Sequence, residues 1–479
     1  MMIVFALGVV MTNTSNAGND RVSGRTIGMS RTFTASSRGL DALGLNPANL
    51  ALDDRGNTVT FELFPFGFRA GSDFINYQIY QDYFTGEDSL DVNGQPAVDQ
   101  NGKTVRVGKK LSQSDKDAIL GLFPGGIAHT QFNFDITEFG ITYQSPTVGG
   151  IGFSVSERFG VNLDIPEGYL KMLLEAFPDE GATFSLDNTS VTASWLREFN
   201  LSYARVLPWQ LKWVKNISVG IGIKYIQGFG YFGTDHYLGN IQTVVTQVAT
   251  KQGPALGSEP VSGSFDFLQY QAHIPDSDYV NSVLLKPAGT GLGFDFGVSA
   301  ELFQAFRVGM SITDIGKVTW DQNTKAIVGT GHFEVTDISQ QDSVKNAFKG
   351  ETRDTTSFTS SLPTALHIGA SLQLDKAAFI GKFPGQLLLA ADLHFGFNEE
   401  PGNTKTPRFA LGAEYRPIGA IPIRTGISIG GRERFQWSLG IGINTPIWDL
   451  DFATESIALL TNPNSFRSGS FTLGMRFRI

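Results

Sequence analysis

The last twelve residues, 468–479, read SGSFTLGMRFRI. Apolar side chains occupy every second position, namely Phe471, Leu473, Met475, Phe477 and Ile479. Small or polar residues stand between them, including arginine at positions 476 and 478. Strict alternation with a period of two predicts a β-strand that has one apolar face and one polar face.

Two kinds of protein place such a strand at the end of the chain. An ordinary edge strand of a soluble sandwich shows the same pattern. A barrel in a bacterial outer membrane must pair its last strand with its first, because an open edge in lipid leaves backbone groups unsatisfied at several kcal/mol each. We therefore expect this strand to close a barrel. Its apolar face, with Phe471, Phe477 and Ile479, is what the barrel-assembly machinery would recognise.

The same alternation recurs along the whole chain. Examples are SVGIGIKY at 218–225, GLGFDFGVSAEL at 291–302 and PRFALGAEYRP at 407–417. Each segment has roughly 9–13 residues, the length with which a tilted strand crosses a bilayer. The pattern predicts an all-β protein, a transmembrane antiparallel barrel of about 14 strands whose outside contacts the lipids of the outer membrane.

Composition narrows the class of protein further. The chain has 479 residues, no cysteine, a formal net charge of -9 and a pI near 5.3. The absence of cysteine excludes disulfides and thiolate metal sites, and the acidic balance argues against a nucleic-acid partner. No stretch reaches the ~18 apolar residues of a transmembrane helix, so a chain that spans a membrane must do so as a barrel.

The order of segments predicts three parts. Residues 1–17 have an apolar stretch and a small-x-small site before Gly18, which indicates a signal peptide that is short at its start. Residues 18–55 are expected to form an N-terminal hatch, and residues 56–479 the barrel. Long loops are predicted at 85–128, 162–194 and 231–288, and the polar runs 87–110 and 242–264 within them are expected to be long loops or hairpin extensions.

Two segments have helical rather than strand periodicity. In SQSDKDAILGLFPGG, residues 112–126, Ser114 and Asp117 have the spacing of a capping box. In IPEGYLKMLLEAFPDEG, residues 165–181, Pro166 is suited to a helix start. These short helices are expected either to pack inside the barrel or to lie at its rim as amphipathic membrane contacts.

Charged residues recur on the polar faces of the predicted strands. A soluble core would not repeat them over so many strands, whereas the lumen of a barrel does. The candidates for lumen-facing polar sites are Lys224, Asp295, Arg307, His367, Asp392, His394 and Glu414. They are expected to pair across the lumen and to anchor the hatch.

Catalysis is not predicted. His129, His236, His367 and His394 have no recognisable nucleophile beside them in the sequence, and single histidines in a lumen are commonly hydrogen-bonded fillers. We assign no catalytic residue, no metal site and no cofactor.

Residues 24–52, GRTIGMSRTFTASSRGLDALGLNPANLAL, resemble the N-terminal hatch of the FadL-like family of long-chain fatty-acid transporters in the outer membrane. Gly28, Arg31 and Ala35 precede the triplet Asn46-Pro47-Ala48, as in that family. Later stretches, such as SSLPTALHIGASL at 360–372 and RFALGAEYRP at 408–417, resemble a branch of unknown function related to PorV-type barrels. One departure is Ile479, where these barrels usually end on an aromatic residue.

The resemblance implies a hatch inside the lumen, with Arg31, Asn46, Pro47 and Ala48 as its candidate residues. It also implies passive transport of a hydrophobic, fatty-acid-like molecule in the outer membrane of a Gram-negative bacterium. The alternative is a scaffold or shuttle in protein secretion, as for PorV-type relatives, with a protein partner on the loops. Phenylalanines near the loops, such as Phe64, Phe68 and Phe229, either line an apolar path or form the aromatic girdle at the membrane interface.

Overall fold

The computed structural model describes residues 23–479 apart from 53, 55, 57, 92–93, 100–101, 176–181, 210–211, 213, 244–246, 251–252, 257–260, 275–285, 304, 336–348, 378–382, 433–434, 463 and 465–466. The predicted signal peptide lies outside the described residues. The helices are α1 Gly24–Gly28, α2 Tyr77–Ile79, α3 Gln113–Leu120, α4 Glu167–Glu175 and α5 Ala458–Thr461. Shorter helical turns lie at Gly39–Ala42, Pro47–Ala51, Tyr80–Phe84, Pro124–Gly126 and Leu374–Lys376.

The strands account for most of the described chain. In chain order they are β1 Val59–Leu63, β2 Phe66–Ser72, β3 Glu87–Asp88, β4 Arg106–Val107, β5 Ile127–Ser145, β6 Gly149–Pro166, β7 Thr183–Ser185, β8 Ser190–Leu207, β9 Val214–Thr243, β10 Gln247–Thr250, β11 Gly253–Leu256, β12 Val261–His273, β13 Gly289–Leu302, β14 Phe306–Trp320, β15 Lys325–Val335, β16 Glu351–Asp354, β17 Phe358–Ser361, β18 Ala365–Gln373, β19 Gln386–Gly396, β20 Arg408–Arg416, β21 Ile423–Gly430, β22 Phe435–Asn444, β23 Trp448–Thr454 and β24 Ser468–Arg478.

These segments close into an antiparallel barrel whose wall has fourteen strands, some of them made of two consecutive labelled segments. This confirms the predicted fold class. The first wall strand consists of β1 and β2. It pairs with β5 on one side and with β24 on the other. The register places Phe61 opposite Phe477, and the two rings stack with centroids 5.2 Å apart. Phe471 pairs with Phe68 in the same way, while Ile479 is 77% exposed at the rim.

The barrel has two different ends. Short connections at 146–148, 208–213, 303–305, 417–422 and 445–447 share one end, which we call the turn end. Most long connections share the other end, which we call the loop end. The exceptions are the longer connection 374–385 at the turn end and the short connection 431–434 at the loop end. The wall continues beyond the barrel there, because β9 pairs with β13 up to Gly228 and with β12 from Gly230 onward. Strands β15 and β16 widen this projecting sheet.

The outer face of the barrel is apolar. On β9, Ile221 and Ile223 are exposed while the next residue, Lys224, is fully buried, and on β13 Phe294 and Phe296 flank a buried Asp295. This is the alternation that one strand needs when lipid lies outside it and a polar lumen lies inside. The charged side chains therefore face inward. Within the described residues, no helix combines the length and apolarity needed to cross a membrane.

The structure places strands and helices within the three segments predicted as long loops. Strand β9 runs to Thr243 and β12 occupies residues 261–273, so much of the predicted loop at 231–288 is the projecting sheet. Likewise β6 extends to Pro166 and β8 begins at Ser190, inside the predicted loop at 162–194. Both extensions have cross-strand partners, which periodicity alone does not reveal. The segment 85–128 holds β3, β4 and α3 before β5 begins.

The capping residues of α3 also differ from the predicted pair. Ser112 accepts a hydrogen bond from the Asp115 N–H, and the Asp115 carboxylate accepts one from the Ser112 N–H at 2.9 Å. The helix begins at Gln113, one residue before Ser114, because Ser112 is the last residue with extended backbone. The second predicted helix is confirmed as α4, which begins directly after Pro166.

Candidate functional site

Of the expected hatch, residues 18–55, positions 18–22, 53 and 55 lie outside the described residues, and the stretch 23–52 lies inside the barrel. We call Ser23–Leu52 the luminal segment. Every residue in it is buried except Arg25 and Arg38. Its helical turn Pro47–Ala51 starts where the Asn46 side chain accepts a hydrogen bond from the Ala48 N–H at 3.2 Å. Proline is suited to that first position because it has no N–H to satisfy.

The wall around the luminal segment is thinned by glycine. A β-carbon at Gly220 would overlap the backbone of Pro47 and Ala48, and one at Gly426 would lie 2.6 Å from the carbonyl carbon of Met29. Backbone therefore touches backbone on opposite sides of the lumen. Inward positions of the same kind, close to the luminal segment, are Gly150, Gly297, Gly309, Gly369, Gly412 and Gly440.

Two predicted polar residues hold the luminal segment by hydrogen bonds. The Asn46 side-chain amide donates to the Thr34 carbonyl at 2.9 Å and to Ser299 Oγ of the wall at 3.0 Å. The Asp392 carboxylate, on β19, accepts from the Thr34 N–H at 2.8 Å. The loop between Thr34 and Asn46 is thus fixed to two sides of the barrel.

Ion pairs fasten the segment to the C-terminal part of the barrel. Arg31 Nε donates to Glu455 Oε1 at 2.6 Å, and Arg476 Nη1 on β24 donates to Asp41 Oδ2 at 2.8 Å. Arg25 Nε lies 3.2 Å from Glu414 Oε2 on β20. Burial alone would raise the pKa of Asp41, but the charge and hydrogen bonds of Arg476 hold it well below its usual range.

Of these residues, Arg31 and Glu414 were predicted from the sequence, whereas Arg25, Asp41, Glu455 and Arg476 were not. The alternation places Arg476 on the inner face of β24, so the sequence could have predicted that Arg476 faces the lumen. Its partner is 435 residues away in the chain, and nothing in the sequence specifies such a contact.

Lys224 and Asp295 belong to a separate buried cluster in the wall. Lys224 Nζ lies 3.0 Å from Asp295 Oδ1 and 2.5 Å from Asp314 Oδ1. Arg158 reaches Glu198 at 3.3 Å and Asp314 at 3.4 Å. Asp314 has a φ of 55° at a bulge between β13 and β14, which turns its carboxylate into the cluster. Among the described residues, the ion-pair partners given for Lys224 and Arg158 lie in the wall.

The two predicted histidines meet. The Nδ1 atoms of His367 and His394 lie 3.4 Å apart, and both rings are buried. His394 Nε2 also lies 3.3 Å from the side-chain oxygen of Asn403. Arg307, by contrast, lies toward the turn end, 3.8 Å from Glu301. The seven polar candidates therefore fall into several places in the lumen and form no single site.

The histidine pair lies under a loop that the sequence analysis did not single out. Residues 397–407 connect β19 to β20 and fold across the loop end, and we call them the loop cap. The Asn162 amide donates to the Glu399 carbonyl at 2.8 Å, and Arg432 Nη2 lies 2.8 Å from Glu399 Oε2. Asn403 donates to the Thr364 carbonyl at 2.9 Å. The sequence could have indicated the loop cap, because this connection is longer than a tight turn and is rich in Asn and Glu.

Below the loop cap, part of the inner wall is an apolar cluster. Ile226, Val318, Trp320 and Leu362 are 0–1% exposed and pack together, and Tyr231 lies against them. We call these five residues the upper chamber. Trp320 donates from Nε1 to Ser360 Oγ at 2.9 Å, so its one polar atom is satisfied. A cavity of about 30 Å³ lies between Ile226, Tyr231 and Leu362 of this surface and the loop-cap residues Glu400 and Pro401. The charged residues Asp135, Arg158 and Glu198 also line this cavity.

The phenylalanines divide between the two predicted roles. Phe229 is fully buried in the same cluster as the upper chamber. Phe64 and Phe68 are 61% and 40% exposed on the outside of the wall. Phenylalanine content by itself therefore did not distinguish an apolar interior from a girdle.

At the turn end, beneath the luminal segment, lies a polar cavity of about 600 Å³ that we call the basal vestibule. Among the described residues that line it, the charged ones are Arg25, Arg38, Asp54, Arg307, Lys376, Glu414 and Arg416. The lumen thus has an apolar cluster toward the loop end and a basic cavity at the turn end, with the luminal segment between them.

Residues 426–430, GISIG, fit the G-x-S-x-G pattern of α/β-hydrolases. In those enzymes the serine occupies a sharp turn between a strand and a helix. Here Ser428 lies within β21, whose partners are β20 and β22. The geometry does not present it as a nucleophile.

The comparisons with known proteins give one family and several structures. Residues 75–452 match a Family of unknown function (DUF5723), which confirms the expected relation to a branch of that kind. No curated protein matches the chain. Among solved structures, the Ralstonia pickettii toluene transporter TbuX is 15% identical, with 98% of this chain and 99% of that chain covered and a TM-score of 0.45.

Two further structures are similar over nearly the whole chain. A Pseudomonas aeruginosa FadL homologue is 12% identical, covering 96% of this chain and 98% of its own, with a TM-score of 0.43. The Pseudomonas putida toluene transporter TodX is 10% identical, covering 97% and 98%, with a TM-score of 0.38. The fold described above rests on the strand pairing of this chain and not on these likenesses.

Proposed function

The chain belongs to the DUF5723 family, and we propose that it is an outer-membrane barrel of a Gram-negative bacterium that lets hydrophobic or amphipathic small molecules, fatty-acid-like in chemistry, pass a hatch. The luminal segment is the hatch in this proposal. The signal peptide would direct the chain to export, and the apolar outer face would contact outer-membrane lipid.

The observation that carries the proposal is the upper chamber. An aqueous porin lines its lumen with polar groups that hold water. Here Ile226, Val318 and Leu362 face inward, next to the ring of Trp320. Apolar surface removed from water is worth roughly 25 cal/mol per Å², so a hydrophobic solute that enters from the loop end gains free energy on this surface.

Passage requires two movements. The cavity of about 30 Å³ at the upper chamber admits little more than a water molecule, so the loop cap must open to admit a solute. The luminal segment fills the lumen below and must shift to let the solute leave. Its buried ion pairs at Asp41 and Arg31 set how readily it shifts.

A reversible lock tests the hatch directly. Ser30 Oγ of the luminal segment lies 2.7 Å from Ser438 Oγ of β22. The chain has no cysteine, so the double variant Ser30→Cys/Ser438→Cys offers one unique disulfide. We would measure uptake of a pyrene-labelled long-chain carboxylate into proteoliposomes before and after reduction. The control is Thr137→Cys/Ser156→Cys, which staples β5 to β6 across a 3.2 Å contact within the wall.

The expected result is uptake by wild type and by the oxidised wall control. The oxidised hatch variant should show no uptake until a reductant opens the disulfide. Equal uptake by the oxidised and reduced hatch variants would overturn hatch gating. Uptake no faster than in protein-free liposomes, in wild type and all variants, would overturn transport itself.

One observation favours a second function, a scaffold in secretion or surface assembly. The sheet of β9, β12, β15 and β16 projects beyond the barrel and presents exposed polar residues, including His236, Asp266 and Arg353. Such a surface suits a protein partner. Stable co-purification of one protein with wild type and with the turn-end variant Lys215→Ala, lost from the variant Asp266→Ala/Arg353→Ala, would favour the scaffold. Equal recovery from all three would exclude this surface as the docking site.

A further inference from the structure

The basal vestibule has an excess of positive charge. Of its described lining residues, five are cationic, Arg25, Arg38, Arg307, Lys376 and Arg416, and two are anionic, Asp54 and Glu414. The lining therefore has three more positive than negative charges. Glu301, just outside the lining, lies 3.8 Å from Arg307 and offsets part of this excess. An excess of positive charge in a concave, partly enclosed space attracts anions.

The single negative charge of Glu414 does not neutralise the positive charges around it, because three guanidinium groups share this carboxylate. Arg424 Nε lies 2.6 Å from Glu414 Oε2, Arg416 Nη2 lies 2.9 Å from Oε1, and Arg25 Nε lies 3.2 Å from Oε2. Arg424 has a second carboxylate, Asp451, at 2.5 Å. Within the described part of the chain, the second carboxylate near Arg25 is that of Asp41, which lies farther away at 3.8 Å.

The luminal segment contributes two positive charges to the basal vestibule. Arg25 and Arg38 are its only residues that are not buried, and both line the basal vestibule. The side chains of Arg25 and Arg416 are only 11% and 10% exposed. In such a partly desolvated place, a charge-assisted hydrogen bond to an anion is roughly twice as strong as a neutral one.

We infer that the basal vestibule is an anion-binding site that takes a carboxylate or phosphate group, either as a free anion or as the headgroup of an amphipathic solute. The cavity of about 600 Å³ is large enough for either. Guanidinium groups suit both anions because each presents a planar fork of donors. The headgroup form rests on the proposed function, whereas binding of a free anion does not.

The test places a reporter in the basal vestibule. Ala420 lines it at the turn end, so Ala420→Cys carries a single fluorophore in a chain without other cysteines. The labelled full-length protein, in phosphatidylcholine nanodiscs, is titrated with inorganic phosphate, dodecyl phosphate, uncharged dodecanol and poly-glutamate. Arg38→Gln/Lys376→Gln removes two charges of the lining. Lys215→Gln, near the start of β9 and outside the lining, is the matched control.

We expect saturable binding of both phosphates but not of dodecanol, weakened about tenfold or more by the double variant and unchanged by Lys215→Gln. Equal binding by the double variant and wild type would overturn the site. So would a wild-type response to dodecanol equal to that of dodecyl phosphate. A response to poly-glutamate alone would overturn it in favour of an acidic polypeptide partner.

The two sources of the anion are distinguished by the same titration. Tighter binding of dodecyl phosphate than of inorganic phosphate would support the headgroup form, and equal binding would support a free anion. Phosphate binding together with failed solute uptake would leave the site standing and overturn the transport proposal alone. The reverse pattern would remove the site and leave transport standing.

Discussion

Arg476 donates a hydrogen bond from Nη1 to the carboxylate of Asp41, 2.8 Å away. The same guanidinium donates from Nε to Glu62 of the first strand at 3.1 Å. One side chain on the closing strand therefore binds both the first strand and the luminal segment. Closure of the barrel and seating of the segment share a residue, so we expect the two to form together during folding.

The Asp41–Arg476 pair gives the first prediction. Asp41→Asn keeps the shape of the side chain but removes the charge, which leaves Arg476 buried with less compensation. Breaking a buried ion pair in this way costs about 3 kcal/mol. We expect hydrogen exchange of residues 39–52 to accelerate accordingly while the barrel strands stay protected. Asp235→Asn, at an exposed carboxylate, is the control, and equal protection of residues 39–52 in the two variants would contradict the prediction.

The same pair has a defined pH dependence. Because Arg476 holds the pKa of Asp41 below its ordinary value, the pair stabilises the seated segment above about pH 4 and loses this contribution only as the pH falls further. Exchange of residues 39–52, corrected for the intrinsic rate, should therefore stay constant from pH 5 to pH 8. A marked acceleration within that range would contradict this role of Asp41.

Another prediction concerns Arg31. Its guanidinium lies against Glu455, which is buried, and its backbone has the left-handed φ of 64°. Arg31→Ala should loosen the luminal segment more than the barrel, since the Glu455 carboxylate loses its partner at 2.6 Å and keeps Arg69 at 3.8 Å. Hydrogen exchange maps of the variant and wild type measure this, with Arg353→Ala as an exposed control. An unchanged map across residues 23–52 would show that Arg31 does not fasten the segment.

The third prediction concerns how closely the segment approaches the wall. Gly220→Ala places a methyl group into the backbone of Pro47 and Ala48, so the segment must shift away from β9. Gly230→Ala, on the same strand, meets nothing within 4 Å. We expect the first variant to lose several °C in melting temperature and to expose residues 46–51 to protease, and the second to do neither. Equal behaviour of both would mean that the close approach is unimportant.

Glu400 gives the fourth prediction, for the loop cap. Burial raises the pKa of Glu400 to about 7, while a hydrogen bond from the Ser361 backbone lowers it by a smaller amount. In an opened cap the carboxyl has its ordinary pKa near 4.3. The closed cap therefore favours the protonated acid, and it loses stability as the pH rises from about 4.3 to about 7.

Exchange of residues 397–407, corrected for the intrinsic rate, should accelerate about tenfold or more across that range and level off above it. Glu400→Gln should abolish the dependence, and Glu351→Gln, at an exposed carboxylate, should preserve it. A cap whose exchange is independent of pH in wild type would exclude Glu400 as the titrating group.

The sequence by itself determined the barrel. Alternation such as that of residues 218–225 fixes both the strand and which face meets lipid, because neighbouring side chains of a strand point to opposite sides. The same pattern placed Lys224 and Asp295 inside, and the resemblance of residues 24–52 led to a segment in the lumen. These are local properties of the chain, readable from its order of residues.

Only the tertiary structure decided the partners. Asp41 meets Arg476, Arg31 meets Glu455 and His367 meets His394 because the closed barrel brings distant strands around one lumen. Periodicity specifies the face on which a side chain lies but not its neighbour across the lumen. The loop cap and the basal vestibule likewise depend on how connections fold back over the barrel, which the alternation of the strands does not encode.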